Sequence, residues 1–276
     1  MEIDQLSELL KGFNVRAGVF YNGSLCGIVS FAEDGEPDGH LHLLRGGRLQ
    51  LRMADGSSIE VRAPSLICFP RGVRHHFFVE DGTEADLTCA SLRFQGGAGN
   101  PIAQAMPELM VLPLSELAQA TALLEWLFAE ARQPGEGRMA TLDRLFELLM
   151  IQILRHLLAN RKIEGGMLAG MADVRLARAL EAVHSRPAEP WTIEAMAAEA
   201  GMSRARFADH FRAVIGATPL DYLTRWRLML AQQQLLAGQP VKLVAGNVGY
   251  ESPSALARTF RRKLGCTPAE WLRLQS

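Results

Sequence analysis

Four histidines stand close together in the first third of the chain and offer ligand chemistry. His40 and His42 flank one leucine in His40-Leu41-His42-Leu43-Leu44, and a spacing of two puts both on one face of a strand. His75 and His76 follow the turn residues Pro70-Arg71-Gly72. Three imidazoles on converging strands could ligate a divalent metal, or line a pocket for a small molecule. A second chemistry sits near the C-terminus. On one short helical segment Arg204, Ala205, Ala208, Asp209 and Arg212 share a face; on another, Ser254, Ala255, Arg258 and Thr259 do so, with Arg262 extending the basic surface. Small side chains flanked by arginines suit a helix that enters the major groove of DNA, contacting base edges near its start and phosphates around it.

The elements that hold these arginines are legible from a repeat. Phe207 and Leu256, Phe211 and Phe260, Gly216 and Gly265, and Pro219 and Pro268 are each 49 residues apart, while Gly201 and Gly249 are 48 apart. Each copy reads as a short helix, a glycine turn and a second helix. Thr192 is placed to cap Ile193–Glu199, where Ala195, Ala197 and Ala198 allow close packing; Ser203 and Ser252 are placed to cap the second helices. Pro253 takes the favoured first helical position. Phe207 and Phe211 lie four apart and face inward, as do Leu256 and Phe260. A connecting helix from Pro219 to about Ala237 spans about 27 Å. With helix widths added, two reading helices reach major grooves about 34 Å apart.

The 276 residues are 48% hydrophobic and 21% charged, which supports two folded domains rather than disorder. The net charge of −1 hides a split: residues 1–172 hold 15 Lys and Arg against 21 Asp and Glu, whereas residues 173–276 hold 14 against 9. A basic half joined to an acidic one suits a polyanion partner for one half only. No run of eighteen apolar residues occurs, against a membrane span. The acidic start MEIDQLSELL is unlike a secretion signal, so a cytoplasmic protein is expected. Cys26, Cys68, Cys89 and Cys266 have no CxxC spacing, and no disulfide framework is expected.

Between Val15 and Arg93, short apolar runs alternate with Gly- and Asp-rich turns, predicting seven or eight antiparallel strands in a small barrel or sandwich. Residues 1–11 read as a short amphipathic helix. Leu114–Arg132 and Thr141–Lys162 have helical periodicity, the second partly apolar on both faces. They read as a linker pair that supports dimerisation, or alternatively as a helical cover on the barrel. The stretch 164–171, EGGMLAGM, reads as a flexible joint. The expected fold is therefore α+β in two domains: an antiparallel barrel over residues 1–112, a helical linker and dimerisation region over 113–170, and an all-α domain with two helix-turn-helix units over 171–276.

Residues 173–276 resemble the DNA-binding domain of the AraC/XylS family of bacterial regulators, with the signature carried by VKLVAGNVGYESPSALARTFRRKLGCTPAEW from Val241 to Trp271. The barrel region resembles the cupin domain of one branch of that family: His40-Leu41-His42 fits its first motif, and Pro70, Gly72 and His75 fit P-x-G-x-x-H. The resemblance implies a sequence-specific transcription factor, not an enzyme, that binds double-stranded promoter DNA as a homodimer. RNA polymerase is a further partner if it activates, and a small-molecule effector acts on the cupin-like half. Ala205 and Ala208 stand where members often carry larger reading side chains, and Asp209 disfavours phosphate unless it accepts from cytosine N4 or orients an arginine. The stretch after His42 lacks the usual cupin glutamate, and Arg45 opposes a cation. Some regulators of this branch respond to oxidants through cysteine, and Cys89 resembles the position involved. Redox control and a metal-dependent cupin enzyme stand as the alternatives.

Overall fold

The computed structural model describes residues 6–7, 10, 14–31, 38–95, 100–160 and 166–274. These fall into two compact units, one within residues 13–164 and the other from 165 onward, with which residues 6, 7 and 10 also group. Most of the amphipathic helix expected over 1–11 lies outside the described residues.

The first unit is built on β1 (Val15–Leu25), β2 (Gly27–Phe31), β3 (Gly39–Gly46), β4 (Arg48–Met53), β5 (Ser58–Arg62), β6 (Ser65–Phe69), β7 (His75–Val79), β8 (Ala85–Phe94) and β9 (Met110–Pro113). All pairings are antiparallel, in one sheet of order β1-β8-β3-β6-β9 and another of order β2-β7-β4-β5. Strand β4 shows the pattern that builds such a sandwich: Leu49 and Leu51 are buried while Arg48, Gln50 and Arg52 are exposed. β6, flanked on both sides by neighbours, is buried throughout, so its sequence has no alternation to read. Leu44, Leu51, Ile67, Phe69, Phe77, Leu87 and Cys89 join in one core cluster of this unit. β9 goes beyond the expected strands; at four residues ending in proline it carries too short a pattern to register.

Asn100 caps α1 (Pro101–Ala105), accepting from the Ile102 and Ala103 amides. The helix expected over Leu114–Arg132 is two pieces: a 3-10 segment, Leu114–Ala120, kinked at Leu117, and α2 (Thr121–Arg132). It is followed by α3 (Arg138–Ala159), whose Leu142, Leu145, Phe146, Leu149, Met150, Ile153, Leu154 and Leu157 are buried. Polar contacts fix these helices to the edge strand β1. The Val19 amide donates to Asp143 Oδ1 (2.7 Å), the Ala17 amide to Glu147 Oε1 (3.4 Å), and Asn22 Nδ2 to the Ala131 carbonyl (2.7 Å). Residues 113–160 therefore cover an otherwise open sheet edge and belong to the first unit rather than forming a separate linker.

The second unit is helical: α4 (Gly166–Ala172), α5 (Val174–Ser185), α6 (Ile193–Glu199), α7 (Arg204–Ile215), α8 (Pro219–Leu236), α9 (Val241–Asn247), α10 (Pro253–Leu264) and α11 (Pro268–Arg273). The joint expected at 164–171 is corrected from residue 166 onward. There the chain forms α4, with Met167, Leu168 and Gly170 buried. A Cβ on Gly170 would fall 2.7 Å from Ile215 Cδ1 and 2.8 Å from Leu180 Cδ1. Its glycine serves close packing, not looseness. By its contacts α4 groups with the helices that follow it.

Candidate functional site

Both helix-turn-helix copies are formed. In the first, Thr192 Oγ1 accepts from the Ala195 amide (3.1 Å) at the start of α6, and Gly201 turns the chain with φ +64°. Phe207 and Phe211 are buried, with ring centroids 5.4 Å apart. In the second, Ser252 Oγ accepts from the Ala255 amide (3.2 Å) at the start of α10. Leu256 and Phe260 are buried with Val244, Ala245 and Val248. Ser203 differs from its expected role: it stands at the cap position of α7 but makes no side-chain capping bond.

The outward faces are as open as the sequence pattern required. Arg204, Ala205, Asp209 and Arg212 are exposed and Ala208 is half-buried; Ser254, Arg258 and Arg262 are exposed and Ala255 and Thr259 are half-buried. Their charges are not equally available. Arg204 Nε lies 2.7 Å from Glu194 Oε1, in a pair open to water. Among the described residues, Arg212, Arg258 and Arg262 have no ion pair, while Lys263 is bound to Asp221. The Thr259 hydroxyl lies 3.2 Å from the Ala255 carbonyl, to which it can donate. Sequence reasoning missed His210, on α7, whose Nε2 lies 2.8 Å from Asp173 Oδ2 at the cap of α5. Only the tertiary fold brings these two together.

The histidines divide sharply. His40 and His42 on β3 and His75 on β7 are buried, and one ring nitrogen from each lies within 4.8 Å of the others. The two strands belong to opposite sheets. His42 Nε2 and His75 Nε2 are 3.0 Å apart. Phenylalanines wall the cluster: Phe69 stacks on His75 at 4.0 Å and Phe31 at 5.6 Å, Phe77 meets His42 edge-on at 4.8 Å, and Phe20 lies 5.4 Å from His40. His76 is a correction: it faces the other side of β7, half-buried, with Nδ1 2.8 Å from Ser30 Oγ. Adjacent strand residues point to opposite faces, so it cannot join His75.

Burial holds His42 and His75 uncharged. Desolvation, then the neighbouring His75 and His40, push the His42 imidazole well below its ordinary range. Desolvation likewise lowers His75, to about 4, against the opposing bond to Val73. His75 Nδ1 is 2.7 Å from the Val73 carbonyl and donates to it, which leaves Nε2 as the lone-pair nitrogen. Neutral imidazoles with one nitrogen oriented by a carbonyl are the form in which histidine binds metals. His42 Nδ1 is buried without a hydrogen-bond partner. Arg45, expected to oppose a cation, is committed to Asp86. The donor set thus fits an imidazole-binding divalent ion such as zinc, iron or nickel.

Cys89 lies fully buried on β8, beside His42 on the adjoining strand. Burial pushes its thiol up, outweighing the nearby Arg45 charge. This removes it from the thiolate form on which oxidants act. All four cysteines are free, with Cys26 exposed.

Comparison with known proteins agrees with this architecture. Residues 4–159 match a family model described as Cupin, and residues 196–274 match one described as Helix-turn-helix domain. The RCS-specific HTH-type transcriptional activator RclR of Escherichia coli (strain K12) is 30% identical over 234 residues, covering 83% of this chain and 82% of that protein. A putative AraC-like transcription regulator of Streptomyces antibioticus is 41% identical over 131 residues, or 47% of this chain and 43% of that one. The DNA-binding domain of AdpA, solved in complex with a target DNA, is 36% identical, covers 37% of this chain and 93% of its own, and has a TM-score of 0.35. The chain belongs to the AraC-like family of DNA-binding transcriptional regulators, in the branch with an N-terminal cupin domain.

Proposed function

We propose that α7 and α10 read two successive major-groove segments of promoter DNA, and that an effector acting at the His40–His42–His75 cluster controls this binding. The first part is carried by the opposition of faces on each helix: a buried aromatic or leucine stripe behind, small and arginine side chains in front. Arg258 serves base readout. Arg212 and Arg262 serve phosphates, and Ala205, Ala208, Ser254 and Ala255 let the backbone approach. Asp209 accepts from a cytosine amine or orients an arginine. The Arg204–Glu194 pair opens when Arg204 engages DNA.

The control element rests on the convergence of three buried imidazoles inside an aromatic enclosure. His40, His42 and His75 would hold a divalent metal, which when bound would supply Lewis acidity towards an oxygen-bearing effector. Trp126, Met139 and Leu148 are exposed on α2 and α3, supporting a homodimer through this helical cover. The protein then acts on cytoplasmic promoter DNA, with RNA polymerase as a partner where it activates.

Elemental analysis of purified protein, followed by binding to a selected promoter fragment with and without chelator, tests the control element. Stoichiometric metal lost in His42→Ala, together with altered DNA affinity or geometry, is expected. Metal-free protein whose DNA binding is the same in His42→Ala and His75→Ala would refute it.

A further inference from the structure

The two helix-turn-helix units share α8, each using its own stretch. Phe211 of the first unit meets Tyr222 at 5.5 Å, and His184 stacks on Trp226 at 3.8 Å. Leu228, Ala231 and Leu235 instead enter the core of the second unit. The units also touch directly beside that helix. Arg227, half-buried between these two stretches, donates from Nε to the Pro187 carbonyl (2.8 Å) and from Nη2 to the Glu189 carbonyl (2.6 Å). Both acceptors lie between α5 and α6, at the entry to the first unit. The same guanidinium stands 6.0 Å from the ring centroid of Tyr250, in the turn of the second unit.

Gly249 brings the main chains together. Its φ is +80°, and a Cβ there would fall 2.8 Å from the Ala188 carbonyl oxygen, 2.8 Å from Arg227 Nη2 and 2.9 Å from Ala188 Cα. The turn of the second unit is therefore seated against the entry segment of the first. Arg227 pins that contact by holding two carbonyls on one side and an aromatic ring on the other. A planar fork of donors meets this demand and a lysine ammonium does not. DNA makes the contact consequential, because each added base pair rotates the groove by roughly 35° and advances it by about 3.4 Å.

We propose that Arg227 and Gly249 form a clasp that locks the separation and rotational phase of α7 and α10, so that the protein accepts its two DNA sub-sites at a single spacing. Arg227 is here a positioning residue, touching no base. The inference rests on the reading of α7 and α10 as the base-contacting helices.

Selection of the full chain against a random duplex library supplies the probe, which is then rebuilt with one base pair inserted or removed between its two sub-sites. Wild-type protein is expected to bind the altered spacings about tenfold or more weakly, a penalty of the size of a mismatched base pair. Arg227→Lys and Gly249→Ala are expected to lose less than about threefold on the same change, with an unaltered salt dependence because no phosphate contact is removed. Circular dichroism melting identifies the folded variants, and Arg227→Lys carries the comparison if Arg227→Ala does not fold. Wild-type spacing discrimination retained in folded Arg227→Lys or Arg227→Ala overturns the clasp. A wild-type selection yielding only one short sub-site overturns the two-helix reading, and the clasp with it.

Discussion

Replacing Arg258 by alanine separates base reading from phosphate attraction. Arg258 is exposed on α10 and, among the described residues, has no ion pair to break before it meets DNA. An arginine fork on guanine contributes about 1–3 kcal/mol of discrimination, which converts to a loss of roughly 5- to 150-fold at the preferred site. Random duplex is expected to be bound almost as before, since its affinity comes from phosphates. Arg262→Ala is the contrast: lying farther along the helix, it should weaken both DNAs equally and lower the salt slope by about 0.9, the share of one phosphate contact. Fluorescence anisotropy at several salt concentrations, with the selected site and a scrambled duplex, measures both quantities. Equal weakening by Arg258→Ala on both duplexes, accompanied by the lower slope, would refute its assignment to base readout.

Three further outcomes are expected. Phe207→Ala and Phe260→Ala, each removing a fully buried ring, should destabilise the C-terminal helical unit by about 3–5 kcal/mol, read from urea unfolding of the full chain. Desolvation lowers His184 to about 3 while it stacks on Trp226. The unfolded chain therefore takes up the proton first, and this contribution to stability is present above about pH 6.5 and declines as pH falls towards about 3. His184→Gln should flatten that part of the melting-temperature profile; an unchanged profile would assign the acid sensitivity elsewhere. In native protein a thiol reagent should modify exposed Cys26 readily and Cys89 only on unfolding, as read by mass spectrometry of the labelled peptides.

The helical half was legible because its signals are local. Gly201 and Gly249, the caps Thr192 and Ser252, and the four-residue spacing of the inward aromatics act within a turn or two of chain. Strands such as β4 announced themselves by alternation, and the spacing of His40 and His42 placed both on one face. Long-range packing was harder to read. Whether His75 or His76 faces inward is a matter of strand phase, and the apolar breadth of α3 fits an interface between copies as well as a cover over β1. The sequence of α4 reads as slack because glycine serves two purposes, freedom and close approach; only Ile215 and Leu180 reveal which applies. Arg227 gave no signal at all, since its acceptors are backbone carbonyls 38 and 40 residues away.

The seating of α4 has a consequence for the helical unit. Gly170 lies against Ile215, the last residue of α7. Gly170 thus ties α4 to the C-terminal end of α7, and a side chain added there would drive Ile215 and Leu180 apart from it, loosening the first turn of the helical unit against its neighbours.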